Sequence, residues 1–228
     1  MSSFPLDTIR HSAAHVMAAA VNRLFPDVKF DIGPSTDDGF YYDFDMAHRL
    51  VPEDIEKIES EMRRIAAEAL PFERSELSRP EAEKLLAAAG QKYKLERLAD
   101  IPEGEAISFY KCDGFIDLCR GPHVGNSSQI GSFRLLTIAG AYYRGREGNP
   151  MLQRVYGTAF GTDKELRVHL NLIEEAKKRD HRKLGRELEL YTVSDDVGPG
   201  LIIWQPKGAR IRNIIETFWR DEHYKNGY

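Results

Sequence analysis

The sequence has few cysteines, no excess of positive charge and no long apolar run. Its 228 residues include only Cys112 and Cys119, too few for a disulfide framework, so a reducing compartment is expected. The formal net charge of -4 excludes a chain-wide basic field, and any contact with RNA must therefore be local. No apolar run approaches the ~20 residues of a membrane span, and residues 1–10 lack a signal-peptide core. These absences predict a cytoplasmic globular protein without a membrane partner.

The hydrophobic pattern predicts helices in the first part of the chain and strands in the second. Apolar positions at helical spacing indicate helices over 7–24, with Asp7 or Thr8 as cap, and over 53–69 and 78–90. Residues 28–44 read as a hairpin, and β-prone runs predict strands over 106–111, 115–119, 133–143 and 152–160. We therefore predict an α+β fold, with helices packed on an antiparallel sheet.

Two short motifs carry the residues most suited to chemistry. His11 and His15 are four positions apart on the first helix and project from one face of it. Cys119 and His123 are also four apart, on either side of a Gly-Pro turn, and Asp117 alternates with Cys119 so that both side chains face the same way. By spacing alone, the three imidazoles and the thiol fit either a tetrahedral zinc site or a metal-free hydrolytic pocket.

Two further residues lie in segments that can line the same sheet. Tyr42 belongs to the β-prone run 40–44, and Lys94 belongs to a short run, 93–95, that we interpret as extended. Cys112 lies in the predicted turn 112–114, and we assign it no role.

The last third of the chain has a different organisation. A capping box at Thr162 and Glu165 predicts a helix that ends near Gly185 and is strongly basic over 177–183. A strand-like piece and an amphipathic helix, 208–223, follow it. Some 45 residues are too few for an independent core, so this part is expected to open a larger domain.

Seven motifs, in order along nearly the whole chain, resemble the threonyl-tRNA synthetases of the bacterial type. They are HSAAH at 11–15, GFYYD at 39–43, DLCRGPH at 117–123, AGAY at 139–142, MLQR at 151–154, YGT at 156–158 and RDHRKLG at 179–185. The editing domains of alanyl-tRNA synthetases share H-x3-H and C-x3-H, but they typically carry CGGTH where this chain has CRGPH.

The resemblance implies three regions. Residues 1–161 would form an editing domain of the second-additional-domain type shared with alanyl-tRNA synthetases, and residues 162–185 a basic linker helix. Residues 186–228 would open a class II catalytic domain, with the motif 1 helix of the dimer interface at its end. The small ubiquitin-like domain that usually precedes the editing domain is not in this sequence. We expect the aminoacylation site to lie beyond Tyr228.

The resemblance also implies an activity and a site. The editing domain would hydrolyse the ester of mischarged seryl-tRNA(Thr). The site residues carried over are His11, His15, Tyr42, Lys94, Asp117, Cys119 and His123. His11 with Lys94 would activate the water, while Asp117 and Cys119 hold the seryl group. His15 and His123 would shape the pocket and contact the 3′-terminal adenosine, and Tyr42 would bind substrate.

Cofactors and partners follow from the same resemblance. The editing site is expected to work without a metal; were zinc present, His11, His15, Cys119 and His123 would be its ligands. ATP, magnesium and a second zinc belong to the catalytic domain, and the partners are the acceptor end of tRNA(Thr) and a second copy of the full enzyme. Two alternatives stay open: a free-standing trans-editing deacylase, and a non-catalytic, zinc-stabilised RNA-binding module.

Overall fold

A computed structural model describes residues 4–194 and 196–228 of the chain. Its fold is α+β with antiparallel sheets, as predicted. The helices are α1 (Leu6–Leu24), α2 (Pro52–Glu68), α3 (Arg79–Ala88), α4 (Lys92–Ala99), α5 (Asp163–Lys178), α6 (His181–Glu187) and α7 (Pro206–Lys225). The strands are β1 (Lys29–Phe30), β2 (Ser35–Thr36), β3 (Gly39–Asp45), β4 (Glu73–Leu77), β5 (Ile107–Cys112), β6 (Phe115–Leu118), β7 (Ser132–Tyr142), β8 (Met151–Phe160), β9 (Tyr191–Val193) and β10 (Ile202–Trp204).

The strands form separate sheets rather than the single one that the sequence suggested. The largest has the order β1-β3-β8-β7, with β2 paired to β3, while β4-β5-β6 make a second sheet and β10-β9 a third. Strand β3 lies between α1 and α2 in the chain and pairs with both β1 and β8, so the predicted hairpin over 28–44 is present. Strands β5 to β8 follow helices α1 to α4 as predicted, while β1 to β4 lie among those helices.

Helix α1 is buried almost all around and forms the centre of the largest core. Its residues from Ser12 to Val21 are all buried and pack with the inner side chains of β3, Phe40, Tyr42 and Phe44. The sheet approaches this helix closely, because five of the helix residues are alanines with small side chains. The helix begins after Pro5 without a side-chain cap, so the expected capping by Asp7 or Thr8 is wrong by two or three residues.

Two other local expectations are corrected. The segment 93–95 is not extended: it lies in helix α4, and Lys94 therefore projects from a helix. Cys112 is the buried last residue of β5 rather than a turn residue, and burial raises the pKa of its thiol to about 12.

The chain divides between Arg167 and Val168 into two compact units. In the second unit, the predicted continuous helix to Gly185 is wrong, because it breaks before α6. The carboxylate of Asp180 accepts a hydrogen bond from the backbone N–H of Arg182 and so caps α6. Helix α7 leaves large apolar side chains uncovered, including Ile214, Phe218 and Trp219, each at least 59% exposed. No described helix combines the length and the hydropathy of a membrane-spanning segment.

Candidate active site

A cleft of about 350 Å³ opens between the N-terminal half of α1, helix α4 and the end of β6. It lies in the first unit, and its fourth wall is the segment 32–35, which follows β1 and ends at the first residue of β2. Five of the seven predicted site residues line it: His11, His15, Lys94, Asp117 and Cys119. The cleft therefore brings together residues that are up to 108 positions apart in the sequence.

The Cys119 thiol lies between the imidazoles of His11 and His123 and so connects the two motifs. The Cys119 Sγ atom lies 3.3 Å from Nε2 of His11 and 3.4 Å from Nε2 of His123. It also accepts a hydrogen bond of 3.2 Å from the backbone N–H of Gly121. Gly121 has a φ of 72°, and a Cβ there would collide with the Tyr110 hydroxyl, so this close turn requires glycine. The glycine of the motif thus shapes the turn around the sulfur.

Ser12 fixes the position of His123 and was missed in the sequence. Its hydroxyl donates to the backbone carbonyl of Thr8 at 2.7 Å, lies 3.1 Å from Nδ1 of His123 and accepts from the N–H of Val124 at 3.0 Å. The sequence did contain a signal for this role, because Ser12 is the polar residue between the two histidines of the HSAAH motif. A buried serine on a helix face needs such partners, because an unpaired hydroxyl in the core is costly.

Asp117 is the centre of the polar contacts deeper in the site. Its Oδ2 accepts a hydrogen bond of 2.6 Å from the Tyr42 hydroxyl and lies 3.4 Å from Nε2 of His15, while Oδ1 pairs with the Lys94 ammonium. The side chains of Asp117 and Lys94 are only 3% and 6% exposed. A buried charge needs a partner of opposite charge, and this ion pair supplies one to each group.

Tyr42 is not among the residues that line the cleft, and its role as a substrate contact stays a prediction. It is fully buried behind Asp117 and touches the site through its hydroxyl. Burial, followed by the charge of Asp117, raises the pKa of Tyr42 well above its usual value, so the hydroxyl stays a donor. His123 is half-buried, and its ring stacks on Phe72 at a centroid distance of 4.8 Å. Tyr42 contacts Asp117 and His123 contacts Cys119, so both touch residues that line the cleft.

Burial keeps the imidazoles of the site neutral and the thiol protonated. Desolvation lowers the pKa of His11, and it lowers that of His15 far more. The pKa of His123 is also far below the usual range, because the ring is buried beside two other imidazoles. Desolvation, reinforced by Asp117, raises the pKa of Cys119 to about 12. At neutral pH the cleft therefore presents a neutral imidazole that can accept a proton, next to an ammonium group.

The four motif residues can also be tested as metal ligands. One donor atom from each of His11, His15, Cys119 and His123 lies within 4.8 Å of the others, and three imidazoles with one sulfur are a suitable donor set for zinc. These residues would hold such an ion, which would polarise a bound water. The Lys94 ammonium lies on the same cleft, and its positive charge opposes a cation there.

Comparisons with known proteins show which family the chain resembles. Residues 107–156, which include Asp117, Cys119 and His123, match the family described as the threonyl and alanyl tRNA synthetase second additional domain. The chain is 54% identical over 223 residues to the threonine–tRNA ligase of Nitratidesulfovibrio vulgaris, which is 98% of this chain and 34% of that protein.

Two further relatives give the same picture. Threonine–tRNA ligases of Clostridium tetani and Citrifermentans bemidjiense are 53% and 55% identical over 97% and 98% of this chain. The chain spans about a third of the length of the relatives it matches. The predicted resemblance is thereby confirmed, and this chain is a homologue of part of the bacterial threonine–tRNA ligases, carrying the second additional domain of the threonyl- and alanyl-tRNA synthetases.

Proposed function

We propose that this chain provides the editing function of a threonine–tRNA ligase and hydrolyses the ester of mischarged seryl-tRNA(Thr). The observation that carries the proposal is the composition of the cleft: a neutral, half-buried His11 faces it together with the buried Lys94–Asp117 ion pair. A base, a cation and a carboxylate around one space of about 350 Å³ suit the hydrolysis of a small amino-acid ester.

The need for such a site follows from the similarity of two amino acids. Serine lacks one methyl group of threonine, and a pocket distinguishes one methyl by only ~1–3 kcal/mol, or roughly 10–200-fold. A synthetase that selects threonine therefore charges some serine. A second site that hydrolyses the smaller product and excludes the larger one corrects the error.

We assign the roles as follows. His11 accepts a proton from a water molecule, and the resulting hydroxyl group attacks the ester carbonyl while the bond to the ribose 3′-oxygen breaks. The Lys94 ammonium helps to position the water and offsets the negative charge that develops on the carbonyl oxygen. The proton held by His11 then passes to the 3′-oxygen, so that the products are free serine and intact tRNA.

Substrate positioning falls to the other groups of the site. Asp117 and Cys119 line the cleft and hold the seryl group, and the protonated thiol is a packing and hydrogen-bonding group rather than a nucleophile. His15 and His123 shape the pocket and the contact with the 3′-terminal adenosine. Their rings are 4.2 Å apart at the centroids, so they support one another.

The remaining parts of the chain fit the beginning of a larger ligase. Residues 1–161 correspond to the editing domain, and 162–185, with helices α5 and α6, to a linker. Residues 186–228 correspond to the opening of a class II domain, whose further residues and a second copy of the full enzyme would cover the apolar side chains of α7. ATP-dependent aminoacylation, with magnesium and zinc, would lie outside the matched third of the relatives, and the whole enzyme would work in the cytoplasm.

The proposed activity is tested with two esters of the same tRNA. We expect the chain to release serine from seryl-tRNA(Thr) at least about tenfold faster than threonine from threonyl-tRNA(Thr), because one methyl group is worth roughly that much. The measurement follows the intact ester over time, with a preparation from cells lacking the chain as control. Esters that decay at the control rate would refute the proposal and favour an RNA-binding module; equal hydrolysis of both would refute the selectivity.

We also propose that the site works without a metal. The purified protein should contain less than about 0.1 zinc ion per chain when measured by inductively coupled plasma mass spectrometry. Treatment with a chelator should leave the rate of deacylation unchanged. Cys119→Ala is compared with Cys112→Ala, because Cys112 is the other cysteine of the chain and does not contact the cleft. Stoichiometric zinc that is lost in Cys119→Ala and kept in Cys112→Ala would overturn the proposal.

A further inference from the structure

Helix α4 carries Lys94 to the cleft but has little intrinsic stability. It spans the eight residues Lys92–Ala99, and Gln91 at its N-cap makes no capping hydrogen bond through its side chain. Isolated helices shorter than ~12–15 residues are marginal in water. The position of the Lys94 ammonium is therefore decided by the contacts that attach this helix to the rest of the unit.

One attachment is the side-chain amide of Gln91. Its Oε1 accepts from the backbone N–H of Phe30 at 2.9 Å, and its Nε2 donates to the carbonyl of Val28 at 3.0 Å. Strand β1 lies at the edge of its sheet. The amide thus takes the place of a neighbouring strand and joins the start of α4 to that edge.

A second attachment is made by Arg97. Its guanidinium donates two hydrogen bonds to the carboxylate of Asp31, at 2.8 Å from Nε and 2.9 Å from the terminal nitrogen. Asp31 is only 1% exposed and directly follows β1. A bidentate pair of this kind fixes direction as well as distance, because both planar groups must be aligned.

Lys94 lies midway between the two attachments. Residues 91 and 97 each lie three positions from Lys94, so each attachment is within one helical turn of it. The Lys94 ammonium contacts Asp117, with 6% of the lysine side chain exposed. The Tyr93 hydroxyl, which donates to Asp45 at 2.8 Å, also holds the helix, so we expect the loss of either attachment to open this turn locally rather than to unfold the helix.

We propose that Gln91 and Arg97 are positioning residues that hold α4 against β1 and thereby keep the Lys94 ammonium beside Asp117 in the cleft. Neither contacts the cleft itself, so each acts through Lys94. The positional claim rests on the contacts alone, and its consequence for catalysis rests on the proposed function.

The position of Lys94 is tested by chemical labelling. Lys94 is acetylated with an N-hydroxysuccinimide ester, and the rate is followed by peptide mass spectrometry. In Gln91→Ala we expect this rate to rise at least about fivefold, because local opening exposes a shielded amine. The exposed Lys111 serves as internal reference. Arg97→Gln should have the same effect, and Arg97→Lys, which keeps the charge, should restore part of the protection.

Gln153→Ala is the matched control. Gln153 makes the same pair of backbone contacts elsewhere, accepting from the N–H of Leu50 at 2.7 Å and donating to the carbonyl of His48 at 2.8 Å. The Gln153→Ala variant should leave the rate of Lys94 labelling unchanged. Unchanged labelling in Gln91→Ala and Arg97→Gln, or an equal rise in Gln153→Ala, would overturn the inference.

The second readout is the deacylation of seryl-tRNA(Thr). Gln91→Ala should lower kcat at least about tenfold with KM within about threefold of wild type, because a displaced ammonium affects the reaction more than binding. A rise in KM with an unchanged kcat would refute the catalytic consequence. An inactive wild type would refute the proposed function and leave the labelling result to decide the positional claim.

Discussion

Replacing Asp117 with alanine should lower the free energy of unfolding by about 3–5 kcal/mol, because a buried cation is left without its partner. The Lys94 ammonium would stay in a site where 6% of its side chain is exposed, with no other carboxylate paired to it among the described residues. The Tyr42 hydroxyl would also lose its acceptor. In thermal melting followed by circular dichroism, a loss of this size corresponds to a Tm lower by about 6–20 °C.

A double variant distinguishes the cost of the unpaired Lys94 charge from the cost of the lost carboxylate volume. The double variant with Asp117→Ala and Lys94→Met should be more stable than Asp117→Ala alone, since the methionine removes the charge and keeps the apolar stem. The control is Asp100→Ala, which breaks an ion pair with Arg144 that is about half exposed on the aspartate side. Such surface pairs contribute about 0–1 kcal/mol. A double variant no more stable than Asp117→Ala would contradict the role of the buried charge.

Replacing His11 with alanine should slow the hydrolysis of seryl-tRNA(Thr) by about 10²–10⁴-fold, the usual contribution of a general base. His11 is the half-buried imidazole that lines the cleft, and burial lowers its pKa so that the neutral base is present at neutral pH. Single-turnover deacylation with enzyme in excess measures the chemical step. The melting temperature should change little, because the side chain is partly exposed.

The matched control is His48→Ala. His48 lies outside the cleft, where its ring stacks on Phe25 at 5.1 Å and bonds to Asp54 at 2.7 Å. This variant loses an imidazole and a hydrogen bond without touching the proposed machinery, so its deacylation rate should equal that of the wild type. If His11→Ala keeps more than about a tenth of the wild-type rate, another group accepts the proton and the assignment is wrong.

Much of the site could be predicted because its residues are close in sequence. The four-residue spacing of His11 and His15 fixes them on one face of any helix, and the Gly-Pro turn brings Cys119 and His123 together. The strands on either side of Asp113 pair as a hairpin, as predicted. Local backbone geometry is sufficient for each of these results, and no distant contact is needed.

The segment around Lys94 shows why the remaining part of the site was not predicted correctly. The run 93–95 contains no capping residue and is too short for a helical period, so the sequence favours no helix there. The helix forms because Gln91, Arg97 and the buried side chains Tyr93 and Leu98 attach it to other elements. Tertiary contacts override a weak local preference, as they commonly do for short segments.

The sequence by itself determined that this protein has an HSAAH helix face and a DLCRGPH turn, which together limit the chemistry to a few classes. Only the tertiary structure decided how Asp117 is used. Its partners Tyr42 and Lys94 are 75 and 23 positions away, and the protonation of the cleft depends on how deeply each group is buried. Burial is a property of the packed molecule, because desolvation depends on every element around a group and not on its neighbours in the chain. The thiol and imidazoles that spacing alone could assign to zinc are therefore placed beside the buried Lys94–Asp117 ion pair, which the spacing did not predict.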